Sequence, residues 1–66
     1  MNLTEEIVTE YRRVHKFTRE KFINEIRMMH EVSVFLKEKP RVKIGEIEKW
    51  TDFELVKGHK FYWDKL

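Results

Sequence analysis

WTDFELVKGHKFYW, residues 50–63, reads in two incompatible ways, and the choice between them decides the fold. As a helix it has a start signal: Thr51 and Glu54 stand at capping-box spacing, and Trp50 and Leu55 at the spacing of a hydrophobic staple. Leu55, Val56, His59, Tyr62, Trp63 and Leu66 would then share one face. As strands it has composition: Val42, Ile44, Ile47, Trp50, Thr51, Phe53, Val56, Phe61, Tyr62 and Trp63 are β-branched or aromatic. A two-residue loop at Thr51-Asp52 sets Trp50 against Phe53, Lys49 against Glu54, Ile47 against Val56 and Glu46 against Lys57. Gly45 becomes a bulge, and Gly58 moves from a helix interior, where it costs about 1 kcal/mol, to the turn KGH, where a left-handed residue is wanted. The two glycines and the opposite-charge pairs select the antiparallel β-meander, with strands near 41–50, 53–57 and 60–64.

Upstream the pattern changes. No Gly or Pro occurs between Leu3 and Glu38. At 100° per residue, Leu3, Ile7, Val8, Tyr11, Val14, Phe17, Phe22, Ile26, Met29, Val32, Phe35 and Leu36 fall on one side, so residues 3–38 read as helix. Thr4 is placed to cap it, with Leu3 and Val8 as a staple and Glu5 and Glu6 at the positive end of the helix. Pro40 marks the far end, because the residue before a proline is pushed out of the α region. Thr18 gives a second start signal, with Phe17 and Phe22 at staple spacing, so the segment is one long helix or a pair near 3–16 and 18–38. Continuity of phase favours one rod, ~54 Å long, with a polar middle at Thr18, Lys21 and Glu25; the link HKF lacks the usual turn residues. Met28 and Met29 read as ordinary core, and His15 and His30 as hydrogen-bonded helix residues.

The expected fold class is therefore α+β: a long N-terminal amphipathic helix or helix pair (about 3–38) with a C-terminal antiparallel β-meander (about 41–64), in a single small domain, residues 1–66. The alternative is an all-α helix-turn-helix. In that alternative FLKEKPRVKIGEIEKWTDFELV, residues 35–56, resembles the start of a winged-helix DNA-binding domain, with Ile44 and Ile47 anchoring the first helix of the pair. The run GEIEKWTD, with Gly45, Ile47, Trp50 and Asp52, is similar to a hairpin pattern near the ends of phage and prophage proteins, although Phe53 stands where a Gly usually follows. That resemblance implies a phage or mobile-element origin and no particular activity.

Size and composition narrow the classes. A chain of 66 residues buries only about 60% of its unfolded surface, so its core is marginal and a dimer or partner is the expected support. There is no Cys, hence no disulfide framework or thiolate metal site, and three scattered His form no standard zinc centre. Nine aromatics among 41% apolar residues argue for a folded chain despite 39% charged residues. The start MNLTEEIVTEYRR has acids where a signal peptide needs a basic flank, and no apolar run approaches a membrane span, so a soluble cytoplasmic protein without membrane association is expected. The net charge of +2 hides blocks: three acids and no base in residues 1–11, five bases and one Glu in 12–21, four bases and one Glu in 37–43.

Catalytic chemistry is not visible. Glu46 and Glu48 would point to opposite faces of a strand, Ser33 is the only serine, and the two glycines make no phosphate-cradling loop. His59 beside Lys60 and Asp64 reads as an exposed turn residue. No enzyme, cofactor or metal is expected. The leading expectation is a small protein-interaction module, an adaptor or inhibitor, because the stripe offers more apolar surface than a small sheet can cover. Self-association, as a dimer, would use Ile7, Tyr11, Val14, Phe22, Met29 and Val32; a protein partner would anchor on Trp50, Tyr62 and Trp63. The alternative is a small basic nucleic-acid-binding regulator using Arg12, Arg13, Lys16, Arg19 and Lys21 on the phosphate backbone, with Lys57, Lys60 and Lys65 beside the aromatics.

Overall fold

A computed structural model describes residues 3–38 and 42–65, and these contain helices and no strand. The elements are α1 (Glu5–Val14), α2 (Arg19–Phe35), a single 3-10 turn (Ile47–Lys49) and α3 (Asp52–Trp63). The class is all-α, which overturns the α+β expectation and its β-meander. Thr51 opens a helix rather than a hairpin, and none of the proposed cross-strand pairs forms. GEIEKWTD is a turn, the 3-10 turn and the first residue of α3, so the phage-type hairpin is absent as well.

Threonine starts all three helices. The hydroxyl of Thr4 accepts from the Ile7 N–H at 3.2 Å and that of Thr18 from the Lys21 N–H at 3.1 Å. At Thr51 the arrangement is reciprocal: its hydroxyl accepts from the Glu54 N–H at 3.2 Å, and the Glu54 carboxylate accepts from the Thr51 N–H at 3.0 Å. These bonds hold the Glu54 carboxyl below its usual range. Phe17 and Phe22 close the staple of α2, their rings edge to face at 4.7 Å.

The unbroken rod is also corrected, in favour of the helix pair. The chain leaves α1 through Lys16 at φ 50° and leaves α2 through Lys37 at φ 56°, both left-handed. In each case the left-handed residue and its successor bond back onto the last turn: Lys16 N–H to Arg13 O at 3.3 Å and Phe17 N–H to Arg12 O at 2.9 Å, then Lys37 N–H to Val34 O at 3.1 Å and Glu38 N–H to Ser33 O at 3.0 Å. This is the Schellman termination, built on lysine where glycine is usual. The Arg12 guanidinium over the Phe17 ring, at 4.5 Å, seals the first one. Thus α2 ends before Pro40, which lies outside the described residues together with Met1, Asn2, Lys39, Arg41 and Leu66.

Gly58 has a different reason from the one its turn reading supplied. It is buried in α3 with an ordinary helical backbone, and a Cβ there would lie 2.9 Å from Cζ3 of Trp50. The indole lies so close to the helix that only glycine leaves room. At Gly45, by contrast, a Cβ would meet nothing within 4 Å, and no bulge exists for it to serve.

Val8, Phe22, Ile26, Ile47, Leu55, Val56 and Tyr62 form the core, with α2 packed along α3 and α1 resting mainly on α3. Arg19 ties the 3-10 turn to α2. Its guanidinium donates to Asp52 Oδ1 at 2.7 Å and to the carbonyls of Trp50 at 2.6 Å and Glu48 at 3.2 Å. Three acceptors in different directions suit the planar fork of arginine.

Candidate functional site

His59 is where the helices bring the most chemistry together, and it is no exposed turn residue: it is 0% exposed. One polar group reaches it from each of the other helices. Tyr11 Oη of α1 lies 2.6 Å from Nδ1, and Glu25 Oε1 of α2 lies 2.8 Å from Nε2. A carboxylate only accepts, so Nε2 carries the proton and Nδ1 accepts from the Tyr11 hydroxyl. The ring is stacked between Phe22, at 4.0 Å, and Trp63, at 5.7 Å, and His15 stands edge-on to it at 5.4 Å.

Burial lowers the His59 pKa, against the opposing pull of Glu25, and burial followed by the charges of Asp64 and Glu25 pushes the Tyr11 hydroxyl far up. An acid, an imidazole and a hydroxyl in line are the parts of a proton relay. Here, however, the hydroxyl is held neutral rather than activated, and aromatic rings fill both faces of the imidazole, leaving no place for a reacting atom. The geometry suits a tie between three helices. A second tie runs from His30 Nδ1 to Tyr62 Oη at 2.8 Å, and from Tyr62 Oη to the Val42 carbonyl at 3.4 Å. Among the described residues no buried side-chain polar atom lacks a partner, and no group of three or more His, Asp or Glu is placed to hold a metal ion.

The basic residues read as phosphate contacts are largely engaged within the chain. Arg12 and Arg19 share Asp52, at 3.6 and 2.7 Å; Arg13 pairs with Glu10 and Lys60 with Asp64, the latter at 2.7 Å. Lys21 Nζ donates to the His15 carbonyl at 2.6 Å, and Lys65 lies 4.7 Å over the Phe61 ring. Lys16 occupies the left-handed position after α1, and Lys57 lies on the outer face of α3 with Phe53 and Glu54. That face mixes signs rather than presenting a basic strip.

The residues read as interaction anchors separate. Phe22 and Tyr62 belong to the core, Tyr11 is spent on His59, and Trp50 packs on Gly58. Met29 is half-buried, whereas Ile7, Val14, Val32 and Trp63 are exposed. Beside Val32, 51% exposed, the structure adds residues not singled out as interaction anchors: Met28 is 59% exposed, Phe35 83% and Leu36 56%. Met28, Val32 and Phe35 recur at four and three residues and so share a face, with Leu36 along its edge. Beside them lies an apolar groove of about 200 Å³, lined by Met28, Met29, Val32, Ser33, Glu38, Tyr62 and Lys65. Their spacing was readable; what hid them was the assumption that one stripe has one direction to face.

Comparison of the chain with protein-family models, with curated proteins and with solved structures finds no match. The winged-helix likeness of residues 35–56 therefore stands on those residues alone. Within them the first helix of the pair is reduced to the 3-10 turn. No helix among the described residues is long and apolar enough to cross a membrane.

Proposed function

We propose that the chain is a small non-enzymatic protein-binding module that receives an amphipathic helix of a partner protein on the face formed by Met28, Val32, Phe35 and Leu36. The observation that carries the reading is the exposure of these four large apolar side chains, side by side on α2 and continuous with the groove that Tyr62 floors. Contiguous apolar surface of this kind marks interfaces. The stripe runs about 12 Å, two turns of helix, which is the length a helix-in-groove contact reads through its i, i+4 and i+7 anchors. Met28 and Met29 add side chains that repack around an incoming surface.

A second copy of the chain fits the same face less well. Two α2 helices crossing antiparallel at Val32 would set Glu31 against Glu31, and like charges at such spacing repel. The nucleic-acid reading has less support, because Arg12, Arg13, Arg19 and Lys60 are ion-paired within the chain and the outer face of α3 carries Glu54.

The test is an NMR titration with a designed amphipathic peptide of about 16–20 residues, long enough to be helical, with leucines on one face and glutamines beside them. Methyl shifts at Met28, Val32 and Leu36 are expected, with none at Ile7, and the variant Val32→Ser/Phe35→Ser should keep the helical spectrum and lose the shifts. Shifts spread evenly over the molecule, or none, would overturn the reading.

A further inference from the structure

We infer, resting on the binding face proposed above, that the helix it receives carries Lys or Arg along the edge of its apolar stripe. The charges around the face are unequal in their freedom. Glu31 lies on the exposed edge of α2 between Met28 and Phe35, and Glu38 lines the groove; neither has an ion-pair partner among the described residues. The basic groups on the same helix are engaged. Arg27 pairs with Glu48, and Lys21 bonds the His15 carbonyl. Lys65, at the end of the groove, lies over the Phe61 ring.

Toward the helix N-terminus the stripe meets Glu25, whose carboxylate holds His59. The acidic side chains without an ion pair, Glu31 and Glu38, thus flank the stripe, while the exposed Lys37 lies beyond Leu36 at its far end. Rim charges of one sign select partners by the opposite sign and reject like-charged ones, while the apolar centre supplies most of the affinity. The same sign is unsuited to anionic lipid surfaces, which attract basic amphipathic faces.

The deciding experiment compares two peptides with the same leucine face, one flanked by lysines and one by glutamates, titrated into the intact chain at low and moderate salt, with sedimentation run on the free protein. The inference expects the lysine peptide to bind at least tenfold tighter, the gap to narrow with salt, and Glu31→Lys/Glu38→Lys to invert the preference while the far-UV spectrum is unchanged. Equal binding of both peptides, or a preference untouched by the double reversal, would overturn the inference and leave the binding face standing. Binding of neither peptide, or a dimer that buries Val32 and Phe35, would overturn both.

Discussion

At position 59 the imidazole has one arrangement that satisfies all its neighbours, and it is the neutral one. A second proton must enter on Nδ1, forcing the Tyr11 hydroxyl to turn from donor to acceptor and placing a charge between Phe22 and Trp63. Because the folded pKa is lowered from 6.5, the unfolded chain binds this proton more readily. The associated stability is complete above about pH 6.5 and is lost as pH falls through the folded value. The urea midpoint should therefore drop on going from pH 7 to pH 5, and the His59 Cε1 proton should titrate below 6.5. Glu25→Gln removes the charge that opposes this shift, so it should move the His59 midpoint lower still; an upward move would contradict the account. At position 58 the usual rule for helices reverses. Gly58→Ala ought to stabilise an open helix by about 1 kcal/mol, but with Trp50 at 2.9 Å it should cost about 1–3 kcal/mol instead. In the Trp50→Leu background the same change should become neutral or favourable; a gain in the wild-type background would remove the steric explanation.

Among the elements, the helix starts were legible and the helix ends were not. Thr4, Thr18 and Thr51, each with its staple or box partner, mark all three N-termini, since a cap is a side-chain function that sequence displays. The C-termini are backbone events: Lys16 and Lys37 take the left-handed conformation without the glycine that would have announced it. The link His15-Lys16-Phe17 therefore looked helical. Replacing Lys16 or Lys37 with Gly should relieve left-handed strain and stabilise each variant by about 0.5–1 kcal/mol, read from the urea midpoint; destabilisation by both would show that the side chains contribute more than the strain costs. The meander fails for a related reason. Gly58 in the sequence points to a turn because glycine usually means unusual dihedrals, whereas in α3 it means close approach. The aromatic content that suggested strands instead wraps Trp50 and Tyr62 around helices. His59 was visible on the inner face in the helical reading, beside Leu55 and Tyr62, but its partners Tyr11 and Glu25 are 48 and 34 residues away in sequence and could not be paired without the fold.

Across the whole molecule the attachments are uneven. Helix α1 buries Val8, sets Tyr11 edge-on to Phe22 and is tied by Tyr11 to His59 and by Arg12 to Asp52, whereas α2 and α3 share the core along their lengths. Native-state hydrogen exchange should show α1 amides opening at lower free energy than those of α3, and opening sooner at pH 5 than at pH 7; simultaneous exchange of all three helices would show a single cooperative unit. The proposed binding face lies on the α2–α3 side and is independent of this weaker attachment.

His15, which caps the end of α1, meets Trp63, the last residue of α3, with the rings 4.9 Å apart, while the other indole, Trp50, is packed on Gly58. Indole emission depends on what the ring touches, so the two tryptophans form a built-in reporter and reference. Departure of α1 should take the His15 ring away from Trp63 and change the emission of that indole. The light from a single side chain would thus follow the position of a whole helix without any added label.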